Sequence, residues 1–265
     1  MDNRPIGVFD SGVGGLTVAR EIFKQLPNEE IVYFGDTLRA PYGSRDLATI
    51  TEFTKQICEF LVSQNVKALV MACNSIVAAS YDEIVKNFDV PIIGVIEPAC
   101  QEAAKFSEAA VGLMATAATV RSGAYERLFK QAGGTQAFHS RACPSLVPLI
   151  EDGMMGSEEA LGEVRNYVNE LLTHNIDTLI LGCTHYPFLR PEVEIVTDGK
   201  IRIIDPAHRT AHVLGEVLAQ LNMEREATTP PEHKFFISGD RTKFDAIYKT
   251  LFSTTPDITI HKLGE

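Results

Sequence analysis

The chain has 265 residues, which is enough for one large domain or two small ones with a sizeable buried core. Apolar residues make up 45% of it and charged residues 22%, a composition that excludes disordered and collagen-like chains. Lys and Arg number 24 against 35 Asp and Glu, and the resulting net charge of −11 argues against binding to nucleic acid or to an anionic membrane.

Short apolar runs rich in β-branched residues alternate along the chain with amphipathic stretches. The predicted strands are residues 5–9, 31–35, 67–72, 91–96, 110–115, 178–182, 201–205 and 234–238. The predicted helices, with apolar residues near a spacing of 3.6, are at about residues 14–26, 46–64, 75–87, 117–132, 157–173, 207–221 and 241–252. This alternation is typical of parallel sheets, so we predict an α/β, doubly wound fold.

Three pairs of segments indicate an internal repeat at an offset of 105 to 110 residues. The paired segments are 6–11 with 111–116, 66–73 with 176–183, and 92–99 with 200–207. The second pair is an apolar strand that ends in both copies with a small residue and a cysteine, Cys73 or Cys183. The pairs keep their order, so we predict two similar lobes related by pseudo-twofold symmetry.

The targeting and cysteine patterns predict where the protein works. No apolar run approaches the roughly 18–20 residues that a membrane span needs, and the first residues lack the pattern of a signal peptide. Five cysteines without a Cys-x-x-Cys pair favour free thiols over a disulfide framework or a zinc site. We therefore expect a cytoplasmic protein that holds no metal.

Polar loops follow the first two predicted strands, at the sheet edge where open α/β proteins bind ligands. The glycines of Asp10–Gly15 permit a tight turn and a close backbone approach to a ligand, but the segment matches neither the dinucleotide nor the P-loop pattern. The longer loop 35–43 contains Tyr42 and Gly43. The residue pattern alone is equally compatible with a purely structural turn in the first loop, and in the second loop it slightly favours one.

Cys73 and Cys183 each follow a predicted strand and precede a helix. Because N–H groups at a helix N-terminus stabilise thiolate, we expect the pKa of each thiol to be lowered toward neutrality. The repeat would bring the two thiols to opposite sides of a ligand between the lobes. Inversion of a carbon stereocentre needs such a pair, because one group removes a proton and the other delivers one to the opposite face. The predicted core cysteines are Cys58, Cys100 and Cys143.

The neighbouring polar residues fit an α-amino acid. The predicted donors to its carboxylates are Asn74, Ser75, Thr116, Thr119 and Thr184. Asp10 would bind an ammonium group or accept a proton near one thiol, and His185 and Glu151 would assist the other thiol. Two other classes stay open: a Cys-dependent hydrolase using Cys183 and His185, and a two-lobed binding module without catalysis.

These motifs resemble the glutamate racemases of the aspartate/glutamate racemase superfamily over nearly the whole chain. The segments that carry the resemblance are Asp10–Thr17, Gly35–Thr37, Pro41–Gly43, Ala72–Asn74, Thr116, Thr119, Glu151 and Leu181–Pro187. The resemblance implies a cofactor-independent isomerase that interconverts L- and D-glutamate for peptidoglycan, and hence a role in cell-wall biogenesis and cell shape. A racemase of aspartate or another amino acid is the alternative within the superfamily.

The resemblance also implies roles for individual residues. The implied acid/base thiols are Cys73 and Cys183, assisted by Asp10, Glu151 and His185. The implied substrate contacts are Asp10, Ser11, Tyr42, Gly43, Asn74, Ser75, Thr184 and His185. The family usually has Thr where this chain has Ser75, a change that keeps the hydroxyl and removes a methyl group.

The resemblance further implies an organisation of the chain. One lobe would comprise residues 1–97 plus 208–265 and the other residues 98–207, with the site between them. Members of the family are commonly homodimers, so we expect a homodimer that binds glutamate.

Overall fold

The computed structural model describes residues 1–252 and 256–264, and within them it contains two parallel β-sheets flanked by helices. The first sheet is formed by β1 (Ile6–Asp10), β2 (Ile31–Gly35), β3 (Ala68–Met71), β4 (Ile92–Gly94), β9 (Lys234–Ile237) and β10 (Ile258–Ile260). The second is formed by β5 (Ala110–Ala115), β6 (Ala137–Ala142), β7 (Thr178–Gly182) and β8 (Arg202–Ile204). The predicted α/β fold with parallel sheets is confirmed.

Helices cover the faces of both sheets, as parallel strands buried on both faces require. In chain order the helices are α1 (Leu16–Gln25), α2 (Leu47–Ser63), α3 (Asn74–Asn87), α4 (Ile96–Phe106), α5 (Ala117–Ser122), α6 (Ala124–Gln131), α7 (Leu146–Glu151), α8 (Glu158–Leu172), α9 (Arg190–Thr197), α10 (Pro206–Gln220) and α11 (Thr242–Leu251). A short 3-10 helix spans Tyr186–Leu189. Over the part of the chain that the structure describes, no helix is both long and apolar enough to cross a membrane.

The two sheets repeat one strand order. The first contains the order β2-β1-β3-β4 and the second has the order β6-β5-β7-β8, so β1 corresponds to β5 and β3 to β7. These correspondences agree with the repeat found in the sequence. The central strands β1, β3, β5 and β7 are buried along their whole length, which explains their nearly continuous apolar sequences.

All eight predicted strands are present with small shifts of their ends, but two edge strands were missed. The strand β6 has the polar, half-exposed sequence AFHSRA, and β10 is an edge strand of three residues, so neither gives a clear apolar pattern. The helices α4, α7 and α9 were not predicted from the sequence either. The predicted helix over 117–132 is in fact two helices, because Gly123 has a φ of +63° and ends the first.

The predicted lobe boundaries at residues 97 and 207 coincide with the starts of α4 and α10. These two helices pack against each other, and they precede and follow the strands of the second sheet. The division into lobes stays a prediction. Residues 253–255 and 265, which belong to the predicted first lobe, lie outside the described residues.

Candidate active site

A cavity of about 320 Å³ lies where the carboxyl ends of strands from both sheets meet. Open α/β sheets bind ligands at this edge, and the volume is at the lower end of the usual range for ligand sites. The predicted site residues that line it are Ser11, Tyr42, Gly43, Cys73, Asn74, Ser75, Thr116, Glu151, Cys183, Thr184 and His185. Asp10 and Thr119 are also predicted site residues, but they lie behind this lining.

Cys73 comes from the first sheet and is the N-cap residue of α3, directly after β3. Its side chain is 6% exposed, and its Sγ donates a hydrogen bond to Ser11 Oγ at 3.5 Å. Burial, reinforced by the nearby Asp10 charge, raises the pKa of the thiol to about 12. The predicted lowering of this pKa is therefore wrong, because burial outweighs the N–H groups of the helix. Cys73 carries its proton at neutral pH.

Cys183 comes from the second sheet, at the end of β7, and is also 6% exposed. The 3-10 helix Tyr186–Leu189 follows it, so the α-helix expected to begin at Cys183 is absent there. Its Sγ lies 3.8 Å from Nδ1 of His185. The two cysteines thus line the same cavity from corresponding strands of the two sheets.

His185 lies between two potential anions. Its Nδ1 faces the Cys183 sulfur, and its Nε2 lies 3.2 Å from Oε1 of Glu151. Burial lowers the pKa of the imidazole, but hydrogen bonding to Cys183 and the Glu151 carboxylate outweigh it and raise the pKa to about 10. His185 is therefore an imidazolium at neutral pH, and it is placed to donate to an anionic sulfur.

Glu151 ends helix α7 and forms a second ion pair with Lys243, whose Nζ lies 2.8 Å from Oε2. Burial raises the pKa of this carboxyl, but His185 and Lys243 together lower it to about 2. Lys243 lines the cavity and was missed in the sequence. It lies on α11, far along the chain from every recognised motif, so no local pattern identifies it.

Asp10 is fully buried at the end of β1. One carboxylate oxygen accepts a hydrogen bond from the N–H of Gly12 at 2.8 Å, and the other accepts from the Thr184 hydroxyl at 3.3 Å. Burial raises the pKa of Asp10, although the His185 charge and these hydrogen bonds oppose the rise. From behind the cavity lining, the Asp10 charge thus acts on Cys73 on one side and on His185, beside Cys183, on the other.

A cluster of hydroxyl groups joins helices α3 and α5 across the cavity. Ser75 Oγ lies 2.9 Å from Thr116 Oγ1 and 3.5 Å from Thr119 Oγ1. Thr116 is the N-cap residue of α5 and accepts a hydrogen bond from the N–H of Thr119. Gly43 packs against this cluster, since a Cβ there would lie 2.8 Å from Thr116 Cβ. These hydroxyls form a local donor set in an otherwise acidic protein.

Two predicted contacts use their polar groups within the protein. The Tyr42 hydroxyl donates to the buried Asp36 carboxylate, so the tyrosine presents ring and backbone, not its hydroxyl, to the cavity. The Asn74 side-chain oxygen accepts a hydrogen bond from the Tyr125 hydroxyl at 2.6 Å, which fixes its amide.

The glycines of the loop after β1 permit close packing between the two halves. A Cβ at Gly14 would lie 2.6 Å from His185 Nδ1, and one at Gly15 would lie 2.5 Å from Asp10 Cβ. The Thr17 hydroxyl donates to the Thr184 carbonyl oxygen at 3.1 Å across the same contact. The loop therefore brings the Thr184–His185 segment against the Asp10 side of the site.

The remaining cysteines are buried, as predicted. Cys143 nevertheless also borders the cavity, beside the apolar residues Pro144, Val147 and Pro148, and burial raises the pKa of its thiol to about 12. Among residues 1–252 and 256–264, no group of three or more His, Cys, Asp or Glu side chains is arranged to hold a metal ion.

Comparison with known proteins identifies the family of the chain. The family model for Asp/Glu/Hydantoin racemase matches residues 6–214, and the chain belongs to this racemase family. The chain is 41% identical over 251 residues to a glutamate racemase of Bacillus cereus, with 94% of this chain and 93% of that protein covered. Such relatives place it with the glutamate racemases of the family.

Solved structures give the same result. A glutamate racemase isoform from Bacillus anthracis superposes with a TM-score of 0.95 at 35% identity, covering 99% of this chain and 98% of the other. A glutamate racemase from Francisella tularensis, solved in complex with D-glutamate, superposes with a TM-score of 0.93 at 34% identity and the same coverage.

Proposed function

We propose that the protein interconverts L- and D-glutamate without a cofactor, by proton transfer between the substrate Cα and two cysteines. The observation that carries this proposal is the pair Cys73 and Cys183, which line the same cavity from corresponding strands of the two sheets. A racemase needs an acid and a base on opposite faces of one carbon atom, and the pair supplies them. A Cys–His hydrolase would leave Cys73 without a role.

The two thiols have different surroundings, and these define their starting roles. Cys183 faces the imidazolium of His185 and takes the role of base, while buried Cys73 carries a proton and is the acid. Cys183 takes the Cα proton of one enantiomer and Cys73 delivers a proton to the other face. The thiols then hold exchanged protonation states, so the opposite enantiomer reacts by the reverse path.

Donors around the cavity bind the carboxylates and stabilise the carbanion. The proposed donor residues are Ser11, Gly43, Asn74, Ser75, Thr116 and Thr184, and Thr119 supports Ser75 from behind the lining. The N-terminus of α3 also opens at the cavity, where its N–H groups favour an anion. Negative charge that develops on the α-carboxylate during proton removal is stabilised by donors already in place. An acidic protein thereby binds an anionic amino acid without a basic surface.

Family membership supports a proposal for the setting of the reaction. We propose that the D-glutamate supplies peptidoglycan synthesis, that the protein is cytoplasmic, and that it is a homodimer. We also propose that residues 1–97 plus 208–265 and residues 98–207 form two lobes with the active site between them.

Solvent-deuterium exchange tests the proposed function. Incubation in D2O with D- or L-glutamate should place deuterium on Cα and form the opposite enantiomer, as measured by mass spectrometry and chiral chromatography. D-Product from another amino acid but not from glutamate would transfer the proposal to that substrate. A covalent acyl-enzyme would favour the hydrolase instead, and glutamate binding without exchange would favour a binding module.

A further inference from the structure

A series of charged contacts runs from helix α11 to the Cys183 thiol. Lys243 Nζ lies 2.8 Å from one oxygen of Glu151, and the other oxygen lies 3.2 Å from His185 Nε2. His185 Nδ1 in turn lies 3.8 Å from Cys183 Sγ. Lys243 is the outer end of this series, and it comes from the C-terminal part of the chain that extends the first sheet.

Glu151 is in a position that needs a cation. It is the last residue of α7, where the helix carbonyl groups disfavour a carboxylate, and Asp152 beside it adds a second negative charge at the cavity. Lys243 and His185 offset these two unfavourable interactions, because each places a positive charge beside one oxygen of the Glu151 carboxylate. A carboxylate engaged through both oxygens has one orientation, so Lys243 restricts the angle from which Glu151 meets the imidazole.

The backbone of Lys243 is itself firmly held. The neighbouring Phe244 is fully buried, and its ring packs against those of Tyr33 and Phe235 of the first sheet. At the start of α11 the N–H of Thr242 donates to Asp240 Oδ1 at 2.7 Å. The lysine side chain is 56% exposed at the cavity, so its loss removes a charge without opening the core.

We propose that Lys243 is a positioning residue for proton transfer at Cys183, an inference that rests on the proposed function. It holds Glu151 against His185, and Glu151 orients the imidazolium toward the sulfur. Cys73 depends instead on its hydrogen bond to Ser11, and the charge of the buried Asp10 acts on both cysteine sides. Loss of Lys243 therefore slows the step at Cys183 and leaves the step at Cys73 intact.

Deuterium isotope effects in both directions distinguish these steps. Racemisation is measured with α-protonated and α-deuterated D- and L-glutamate for the wild type, Lys243→Met and Lys243→Arg. Lys249→Met, which removes an exposed lysine from the same helix, is the matched control. We expect Lys243→Met to lower kcat/KM about 10-fold in both directions, because the enantiomers are equal in energy, and Lys243→Arg to restore it to within about threefold.

The isotope effects should then diverge. The effect on kcat/KM rises for the enantiomer that gives its proton to Cys183, because that step becomes limiting, and falls toward one for the other enantiomer. Equal changes of the isotope effect for the two enantiomers, or Lys243→Met activity within about twofold of the wild type, would overturn the inference while the proposed function stands. A wild type that fails to racemise glutamate would overturn both.

Discussion

Gly14 and His185 approach so closely that a Cβ at position 14 would lie 2.6 Å from Nδ1 of the imidazole. The same nitrogen faces the Cys183 sulfur at 3.8 Å. The glycine therefore helps to define where the imidazolium lies relative to the thiol. A loop that in sequence resembles a ligand-binding turn is, in the structure, also a packing surface for the residues of the opposite sheet.

Gly14→Ala should lower kcat/KM for glutamate racemisation by about 10-fold or more, because the added methyl group displaces the Thr184 hydroxyl and the His185 ring, and small displacements at a reacting centre are costly. Gly12→Ala in the same loop is the matched control. Its Cβ would meet only Ala40 Cβ at 3.6 Å, an ordinary contact, so its activity should stay near that of the wild type. Equal losses in the two variants would contradict a role for the Gly14–His185 contact.

Replacement of either cavity thiol should separate the two half-reactions. Cys73→Ala and Cys183→Ala should each lower racemisation by at least about 10³-fold, since general acid–base groups contribute on that scale. Each variant should still exchange the Cα proton of one enantiomer with solvent deuterium, and the two variants should exchange opposite enantiomers. NMR of the Cα proton in D2O measures this exchange.

Cys100→Ala is the control for these variants, because Cys100 is fully buried and away from the cavity lining. It should racemise glutamate at close to the wild-type rate. Retained racemisation in Cys73→Ala, or exchange of the same enantiomer by both cavity variants, would contradict the assignment of two bases.

The sequence predicted the parts of this structure that depend on local pattern. The apolar runs predicted eight of the strands, and the repeat predicted that Cys73 and Cys183 lie at corresponding strand ends. Local patterns could not show that these cysteines are buried, and for this reason the predicted lowering of the Cys73 pKa was wrong. Burial is a property of the assembled halves, and a helix N-terminus recognised in one segment carries no information about it.

Contacts between residues far apart in the chain could not be predicted from the sequence either. Lys243 reaches Glu151 across 92 positions of the chain, and Tyr42 directs its hydroxyl to Asp36 inside the same loop. Nothing in the local sequence separates a hydroxyl that faces the cavity from one that faces the protein. Neighbours from distant segments determine where a side chain points, and the sequence does not identify these neighbours.

Tyr42→Phe should lower stability with little effect on substrate affinity. The buried Asp36 carboxylate also accepts from Arg39 Nε and Ser238 Oγ, both at 2.6 Å, and loss of the tyrosine hydroxyl removes one of these donors. We expect the free energy of unfolding in urea to fall by about 1–3 kcal/mol and KM for glutamate to change less than about twofold.

Tyr81→Phe is the comparison for this variant, because the Tyr81 hydroxyl donates to a neutral carbonyl group, that of Ile92. It should cost less stability than Tyr42→Phe. A large rise in KM for Tyr42→Phe with unchanged stability would mean instead that the Tyr42 hydroxyl binds the substrate.

The contribution of His185 to stability should depend on pH with a defined sign. Its pKa in the folded protein is about 10, above the value of 6.5 for an ordinary histidine, so the folded state favours the protonated form. The stabilisation is therefore complete below pH 6.5 and is lost as the pH rises through about 10. Urea unfolding of the wild type and His185→Gln at pH 6, 8 and 10 should give a difference in unfolding free energy that shrinks with rising pH.

A second comparison tests the cause of this dependence. Hydrogen bonding to Cys183 is the largest of the effects that raise the pKa of His185, so in a Cys183→Ala background the stabilisation should be lost completely at a lower pH than in the wild-type background. Glu151, which also raises this pKa, remains in that background and should preserve part of the effect. A difference between wild type and His185→Gln that stays constant or grows from pH 6 to pH 10 would show that the folded protein holds His185 neutral. The imidazolium would then be unavailable to stabilise the Cys183 thiolate.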